Sequence, residues 1–302
     1  MALKDIKAKI GATKRMNTVT RAMEAVSAVK MRKTQASAIA GRPYARAAVS
    51  ILARLSGSGD VLRHPLASTR PVDKVALVVI TSDKGLAGSL NSGILKAAAQ
   101  EANLYPKGSV TVFAYGKKGM EYFSRRGYEV RKSFENKRDD VPLSLMEEIS
   151  RELTAGFLAG DYDKAVVAYS NFKSTFEQIP TCRALLPLSM ETIRIMVEDI
   201  RPAKGKWSSD EGISAPASYD VEGSGEDVLA ILVPRLVAVT LYHMLLESKA
   251  AEHSARMVAM KSASDKSKEV ARDLTRVYNK IRQAAITREV SEIVGGREAL
   301  AT

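Results

Sequence analysis

The last third of the chain contains 60 consecutive residues, from Arg235 to Val294, with neither Gly nor Pro. Because an α-helix rises 1.5 Å per residue, this run predicts one helix about 90 Å long, far longer than a helix of a globular domain. Apolar residues recur at helical spacing in both halves, but residues 261–272 between them are half charged. We expect that stretch to be solvated or to lie against a partner. Gly295-Gly296 is predicted to end the helix.

A second long helix is predicted at the start of the chain. Residues 12–40 contain neither Gly nor Pro and are rich in Ala, Met, Lys and Arg, all good helix formers. Apolar side chains recur there at gaps of three and four, which is typical of a narrow coiled-coil seam. The predicted seam comprises Leu3, Ile6, Ile10, Met16, Val19, Met23 and Val26. Both helices look too long and too narrowly striped to fold against a globular domain. We therefore expect them to pair in an antiparallel coiled coil.

Between the two helices the pattern changes to alternating strands and helices, which indicates an α/β domain. The predicted strands are 75–80, 110–115, 128–134, 164–171 and 177–186, and the predicted helices are 92–104, 119–126 and 142–158. The predicted fold class is thus α/β, with a central Rossmann-like domain and a long antiparallel coiled coil of the terminal helices. The predicted divisions are an N-terminal helix at 1–57, the α/β domain at 70–202, a loop at 203–226 and a C-terminal helix at 227–302.

The positive charge is concentrated at the two ends of the chain. The formal net charge is +12, and residues 1–55 hold 12 Lys and Arg against two acidic residues. Such ends favour an acidic partner, which could be nucleic acid, anionic lipid or an acidic protein surface. No secretory signal is visible, and no uninterrupted aliphatic run approaches a membrane span. The single cysteine, Cys182, excludes an internal disulfide and suits a reducing cytoplasm.

Two glycine-containing loops invite comparison with phosphate-binding sites. The turn at 82–91 follows a strand and precedes a helix, but it matches neither the Walker loop nor the dinucleotide fingerprint. Gly116-Lys117-Lys118-Gly119 resembles the loop with which some RNA-binding domains clamp phosphates, although a basic surface turn is the simpler interpretation. The three histidines lack metal-ligand spacing. We therefore predict no catalytic, cofactor-binding or metal-binding residues, and no cofactor.

Four segments of the chain resemble hallmark segments of ATP synthase gamma subunits. Ala255–Asp265 and Tyr278–Gly296 are similar to the family's C-terminal signature, and Ile6–Arg32 resembles its first helix. Thr81–Asn91 resembles the central glycine motif, which usually reads Arg-Gly-Leu-Cys-Gly-Gly in the family. This chain departs from it at Lys84, Ala87 and Ser89. The segments cover both ends and occur in the family's order.

The resemblance implies a non-catalytic rotor shaft in a proton-translocating ATP synthase. The coiled coil would enter a ring of three alpha and three beta subunits and drive their conformational changes as it turns. The base would rest on a membrane-embedded proton-conducting ring, with the epsilon subunit alongside and delta in the same complex. An acidic lever segment on beta would meet the basic shaft. The implied location is the cytoplasmic face of a bacterial inner membrane, without a membrane span in this chain.

The resemblance also implies which positions contact partners. Those facing the alpha–beta ring would be Arg21, Met23, Lys30, Arg256, Thr287, Glu289 and Glu292. Those in the foot on the membrane ring would be Tyr219 and Glu222. Arg256 is expected on a solvated part of the helix, where its guanidinium could be captured by carboxylates of the surrounding ring.

Two other classes of function fit the sequence less well. A nucleic-acid-binding scaffold would use the basic ends, but stacking requires aromatic residues and residues 1–43 contain none. A nucleotide-using enzyme would need a phosphate loop, which the sequence lacks.

Overall fold

A computed structural model of the chain describes residues 3–40, 64–137, 141–188 and 225–301. The predicted foot residues Tyr219 and Glu222 lie outside the described residues. The chain divides into two compact units. Residues 28–256 form the first, which we call the sheet unit. The residues up to Ser27, together with those from Met257 onward, form the second, which we call the paired-end unit.

The described elements follow the predicted order closely. The five helices are α1 (Leu3–Ala40), α2 (Leu90–Ala102), α3 (Lys117–Arg125), α4 (Leu143–Ala159) and α5 (Gly225–Ala301). The five strands are β1 (Val75–Ile80), β2 (Val110–Tyr115), β3 (Glu129–Phe134), β4 (Lys164–Phe172) and β5 (Gln178–Leu186). Short 3₁₀ helices lie at Pro65–Ala67 and Lys107–Ser109. The pattern of apolar residues therefore indicated each of these strands and the helices between them to within a few residues.

The strands form one sheet in the order β3-β2-β1-β4-β5. β1 pairs in parallel with β2 and β4, and β3 pairs in parallel with β2, whereas β5 is antiparallel to β4. The first strand lies in the middle, with the chain moving outward first to one side and then to the other. This arrangement confirms the Rossmann-like α/β domain, and it brings the carboxyl ends of β1, β2 and β4 to one edge of the sheet.

Helices cover both faces of the sheet. On one face α2 and α3 bury side chains that include Ile94, Ala98 and Phe123. On the other face α4 contributes Ile149, Leu153 and Phe157 to a second core. Each central strand is consequently buried on both sides, which explains the unbroken apolar run of β1.

The first part of α5 also packs on the sheet, which contradicts our expectation for the terminal helices. Its residues Leu236, Val237, Leu241 and Leu245 belong to the same core as α4. The reason lies in the width of the apolar surface. In this part of α5 the consecutive apolar residues 236–238 and 244–246 make a broad face, which requires a sheet or several helices to cover it. Residues 225–256 belong to the sheet unit, so the expectation that the C-terminal helix does not fold against the α/β domain is wrong for this part of it.

The helix α5 is also long and apolar enough over one stretch to cross a membrane. Our expectation considered only uninterrupted aliphatic runs and missed this stretch. More than half of it is buried within the protein, as is common for the core helix of a globular unit. It is the single such helix among the residues that the structure describes.

In the paired-end unit, α1 uses a different face from the predicted one. Met16, Val19 and Val26 are exposed, at 59%, 56% and 54%, whereas Thr20 and Ser27 are buried. Ile6 is buried as predicted. The buried positions 6, 20 and 27 keep heptad spacing, so the period was right and the register was wrong. Small hydroxyl side chains can be buried here because each can form a hydrogen bond to a backbone carbonyl of its own helix. Thr20 does so by donating to Met16 O at 3.0 Å.

The other half of the paired-end unit is the second part of α5, in which Met260, Ser264 and Ala271 are buried. The Asn17 side chain donates to Ser264 O at 2.6 Å and thereby joins α1 to α5. Lys14, which precedes Asn17 in α1, lies around one groove with residues 268–276, which follow Ser264 in α5, so the two segments run antiparallel. α5 continues through Gly295-Gly296 to Ala301, which corrects the predicted end. A helical glycine costs only about 1 kcal/mol and need not end a helix.

Candidate functional site

The carboxyl edge of the sheet is where an α/β fold of this topology usually binds ligands. Here the loop after β1 carries the glycine turn, and the loop after β2 carries Gly116-Lys117-Lys118-Gly119. The two loops that we compared with phosphate-binding sites therefore lie at the same edge of the sheet. Whether either can bind a phosphate depends on whether its backbone N–H groups are available.

Every N–H of the Gly116–Gly119 loop is already used within the protein. Gly116 donates to Phe134 O at 2.8 Å, and Lys118 donates to Ser82 O at 3.3 Å. Lys117 donates to Asp83 Oδ1 at 2.7 Å, and Gly119 donates to Thr81 Oγ1 at 2.8 Å. The Asp83 carboxylate thus occupies the N-terminus of α3, where a phosphate would otherwise bind. The loop cannot clamp a nucleic-acid backbone.

The glycines of this loop are explained by how closely two chain segments approach. Gly116 has a φ of +106°, and a Cβ atom added to it would lie 2.0 Å from Thr81 O. At Gly119 an added Cβ would lie 3.1 Å from Thr81 Oγ1. The Gly-Lys-Lys-Gly pattern therefore allows the loop after β2 to pass against the end of β1, which is a structural requirement.

The turn after β1 is closed by its own side chains. Asn91 accepts from Ser82 N at 3.1 Å through Oδ1 and donates to Ser82 Oγ at 2.7 Å through Nδ2. Ser82 Oγ in turn donates to Lys84 O at 2.5 Å. Leu86 sits in the left-handed region with a φ of +65° and an exposed side chain. These bonds fix a tight turn in which the carbonyl oxygen of Gly85 faces α5.

The helix α5 passes over the carboxyl edge of the sheet between β1 and β4. The Ser170 backbone N–H, in β4, lies 3.5 Å from Ser248 Oγ of α5. One turn and a half later, Ser254 donates to Thr175 O at 2.6 Å, in the hairpin between β4 and β5. Ala251 lies between them and belongs to the core on the α2 side of the sheet. The helix thus occupies the crevice that a ligand would use in a related fold.

Arg256 holds the helix on the other side of the crevice. Its Nη2 forms an ion pair with Glu252 Oε1 at 2.6 Å, and both side chains are only 11% exposed. The same Nη2 lies 3.5 Å from Gly85 O of the turn after β1. We call Glu252, Ser254 and Arg256, with Gly85 O and Thr175 O, the helix clamp. The expectation that Arg256 is solvated is wrong. That expectation considered only the few apolar residues of this part of the helix, whereas Arg256 is covered by its ion pair with Glu252 and by the turn after β1.

Burial raises the pKa of titratable side chains in the sheet unit. Burial, together with the nearby charges of Asp83 and Glu252, raises the pKa of Tyr115 at the end of β2 to about 12. Burial raises the pKa of the Cys182 thiol on β5 to about 11, which keeps it protonated and unreactive near neutral pH. Among the described residues no group of three His, Cys, Asp or Glu side chains could hold a metal ion.

The remaining predicted contact residues are distributed along the two long helices and do not converge on one site. Arg21 is exposed, and Met23 and Lys30 are half-buried, all on α1. Thr287, Glu289 and Glu292 are exposed on α5, where Glu292 pairs with Arg288 at 2.8 Å. Sequence reasoning missed Glu252 and Ser254, although the spacing of Glu252 and Arg256 by four residues was a visible signal for an ion pair.

Comparison with known proteins fixes the family. The profile of the family described as ATP synthase matches residues 2–300. The chain is 40% identical over 302 residues to the ATP synthase gamma chain of Roseiflexus castenholzii, covering 99% of this chain and 98% of that one. The chain belongs to the ATP synthase gamma chain family. It is also 38% identical over 304 residues to the ATP synthase gamma chain of Chlorobium phaeobacteroides, with coverage of 99% and 98%.

Solved structures agree with this assignment. The gamma-family fold described here is similar to a chain of the central stalk and c-ring of Tetrahymena thermophila mitochondrial ATP synthase, at a TM-score of 0.61 and 26% identity. That match covers 82% of this chain and 99% of the other. A chain of Euglena gracilis mitochondrial ATP synthase matches in fold with a TM-score of 0.65 at 16% identity, over 99% and 94%.

Proposed function

We propose that this gamma-family chain is the central rotor shaft of a proton-translocating ATP synthase. It would couple rotation of a membrane-embedded ring to conformational changes of the catalytic alpha and beta subunits. The observation that carries this proposal is the continuity of α5. One helix, Gly225–Ala301, begins in the core of the sheet unit, passes through the helix clamp and continues as half of the paired-end unit. A rotation applied to the sheet would thus be delivered to the shaft by covalent structure.

In this proposal the chain does no chemistry of its own. The crevice where an α/β enzyme would bind its ligand is filled by α5, and the N–H groups of the Gly116–Gly119 loop are bonded internally. ATP would be made and hydrolysed on the partner subunits. The helix clamp then has a mechanical role, because it fixes the rotational position of α5 on the sheet at the last turn of the sheet unit.

The partners follow from the same proposal. They would be the alpha and beta subunits around the shaft, epsilon beside the sheet unit, delta through the complex and the proton-conducting ring below. One relative by structure belongs to an assembly described as central stalk and c-ring, which supports this coarse arrangement. The location would be the cytoplasmic face of a bacterial inner membrane. No comparison supports the nucleic-acid alternative, and the bonded loop amides argue against it.

The predicted contact positions keep their places in the proposal, except for Arg256. Arg21, Met23 and Lys30 would meet the beta subunit. Met23 lies on the same stripe of α1 as the exposed Met16, Val19 and Val26, at intervals of three and four residues. Thr287, Glu289 and Glu292 would meet the upper part of the ring. Arg256 would act mainly inside the chain, by positioning α5, with its contact to the ring depending on that position. Tyr219 and Glu222 remain the proposed foot.

The test is reconstitution with the alpha and beta subunits of the same organism. We expect the chain to copurify with them in one complex and to restore ATP-driven proton pumping to membranes stripped of their peripheral subunits. Alpha and beta subunits added without this chain serve as the control and should not restore pumping. If the chain elutes alone, or if pumping returns equally well without it, the proposal is wrong.

A further inference from the structure

Eleven consecutive residues of α5, at 244–254, are all buried. Because a helix has 3.6 residues per turn, this stretch makes about three turns and is enclosed on every side. The elements around it include β4, where Ser170 meets Ser248, and the hairpin after β4, where Thr175 meets Ser254. We call this stretch the buried belt. It overlaps the helix clamp only at its C-terminal end.

The buried belt contains charged side chains, and a buried charge is costly unless another group compensates it. Glu247 is 8% exposed and Lys249 is 2% exposed. Glu247 Oε1 lies 3.2 Å from His243 Nε2, and Lys249 has a polar or electrostatic interaction within the protein. Neither Glu247 nor Lys249 belongs to the helix clamp or to the contact positions predicted from the sequence. Their burial therefore needs a reason of its own.

The Glu247 carboxylate interacts with the sheet as well as with its own helix. Burial raises the pKa of Tyr169 on β4, and the nearby Glu247 charge raises it further, whereas the Arg183 charge on β5 lowers it. The contact between Glu247 and His243 lies within α5 and would turn together with the helix, so it cannot fix the orientation of α5. The interaction with β4 would change if the helix turned, so it distinguishes one orientation from the others.

Glu247 and Lys249 project from α5 in nearly opposite directions. At 3.6 residues per turn, side chains two residues apart point about 160° away from each other. A turn of α5 by one residue would move both charges into surroundings that now hold their neighbours, which include Leu246 and Ala250. Both charges would then lack compensation. Apolar side chains discriminate less between orientations, because the hydrophobic effect is non-directional.

We infer that Glu247 and Lys249 are positioning residues that hold α5 at one rotational setting within the sheet unit. This inference rests on the proposed function, because a shaft helix that turned inside the sheet unit would lose part of the rotation applied to it. The helix clamp holds the last turn of α5 in the sheet unit, whereas these two charges act about two turns earlier. Buried polar groups can fix the register of helices at a cost in stability. We therefore expect the two charges to determine orientation more than stability.

The experiment compares two pairs of substitutions within the buried belt. The charge-free pair is Glu247→Leu with Lys249→Met. The control pair is Met244→Leu with Leu246→Met, which exchanges buried apolar side chains of similar volume and removes no charge. Both pairs keep the stretch filled, so a difference between them reports the charges.

The rotational setting is measured as a distance between two spin labels on the full chain. The labels are carried by Arg235→Cys on α5 and Leu158→Cys on α4, at two exposed positions, in a Cys182→Ser background. We expect one distance for the wild-type belt and for the control pair. For the charge-free pair we expect a second distance displaced by up to about 7 Å, which is the movement of a side chain about 5 Å from the axis when a helix turns by one residue.

Two further measurements separate positioning from stability. The charge-free pair should melt no lower than the control pair, because well-packed apolar side chains can replace buried charges without loss of stability. In the reconstituted complex, the protons pumped per ATP hydrolysed should fall for the charge-free pair and stay unchanged for the control pair.

A single, unchanged distance in the charge-free pair would overturn the inference, and so would equal changes in the two pairs. If the charge-free pair does not fold, Lys249→Met alone provides the same distance measurement, with the same second distance expected. Failure of that variant to fold would mean that the charge serves folding itself, and the inference would be wrong. The distance is measured on the chain without partners. Failure of the wild-type chain to assemble would therefore refute the proposed function and would not alter the distance result.

Discussion

At the scale of single residues, the helix clamp shows how one ion pair can differ from another of identical spacing. Glu252 and Arg256 form an i,i+4 pair on α5 whose side chains are only 11% exposed. Glu292 and Arg288 form the same kind of pair further along the helix, but their side chains are 65% and 82% exposed. Removing one partner leaves the other charge uncompensated only in the buried pair. The two pairs are therefore a matched experiment.

We expect Arg256→Ala to lower the free energy of unfolding of the sheet unit by about 3 kcal/mol, because it strands the buried Glu252 carboxylate. Arg288→Ala should change it by less than about 0.5 kcal/mol. Arg256→Lys should fall between wild type and Arg256→Ala, since lysine keeps the charge but loses the planar fork. Urea unfolding followed by circular dichroism measures all three. Equal effects of Arg256→Ala and Arg288→Ala would mean that Arg256 is ordinary helix surface.

The glycine at position 116 allows a second residue-scale prediction. Gly116→Ala would place a Cβ 2.0 Å from Thr81 O at a φ of +106°, so the ends of β1 and β2 would have to separate. We expect a loss of about 3 kcal/mol of unfolding free energy or no folded product. The control is Gly108→Ala, where an added Cβ meets nothing within 4 Å. Thermal melting of the two variants compares them, and similar melting points would contradict this account of the loop.

Tyr115 predicts a change of stability with pH. Its folded-state pKa is raised from 10.0 to about 12, first by burial and then by Asp83 and Glu252. The unfolded chain therefore loses this proton at lower pH than the folded chain does. The stability that Tyr115 contributes is complete below pH 10 and is lost as the pH rises toward 12. We expect Tyr115→Phe to make the alkaline decline of unfolding free energy shallower. Identical profiles for the two proteins between these pH values would refute this expectation.

At the scale of elements, α1 carries two stripes of side chains with the same spacing, of which one is buried and the other is exposed. The stripe that packs includes Ile6, Thr20 and Ser27, and the stripe that is exposed includes Met16 and Val19. Hydrophobicity alone would choose the second stripe for the seam. The helix pair instead buries small hydroxyl residues, which permit close approach of the backbones. The apolar stripe is left available for a partner, as the proposed function requires.

This reversal of faces can be tested by truncation of one residue from each stripe. Ile6→Ala should lower the free energy of unfolding of the paired-end unit by about 2 kcal/mol, because Ile6 is almost completely buried. Val19→Ala should leave it nearly unchanged but weaken assembly with the alpha and beta subunits. Helix melting and copurification provide the two readouts. If Val19→Ala destabilises the isolated chain more than Ile6→Ala does, Val19 packs within the helix pair and its assignment to the exposed stripe is wrong.

At the scale of the whole molecule, α5 belongs to both compact units. The residues of α5 up to Arg256 are part of the sheet unit, and the residues of α5 from Met257 onward are part of the paired-end unit. Residues Ser291 to Val294, near the C-terminal end of the helix, are exposed. The two ends of one helix therefore serve different purposes, and they should respond differently to deletion.

We expect removal of residues 291–302 to leave the melting of the sheet unit unchanged, because none of the side chains described in that segment is buried. Assembly or torque transmission in the reconstituted complex should nevertheless weaken. Near-ultraviolet circular dichroism reports the sheet unit through its tyrosines, and ATP-driven pumping reports coupling. Loss of the tertiary signal on truncation would show that the sheet unit depends on the end of α5.

Much of this protein follows from local sequence pattern. The period of the apolar residues and the absence of Gly and Pro over residues 12–40 and 235–294 indicated both long helices, and the pattern of apolar residues indicated the strands to within a few residues. The family resemblance in Thr81–Asn91 and in the C-terminal segments led to the function. These features could be predicted because helix and strand periodicity depends only on neighbours along the chain.

The tertiary structure alone decided which faces meet. Gly85 and Arg256 are 171 residues apart in the chain, so no local pattern could show that the turn after β1 meets α5 there. The same holds for the burial of Thr20 and for the Asp83 carboxylate at the start of α3. Each depends on the shape and polarity of a distant segment, and hydroxyl and carboxylate groups can be buried wherever such a segment satisfies them. The sequence thus determined the elements and their order, whereas contacts between distant segments determined the helix clamp and the seam between α1 and α5.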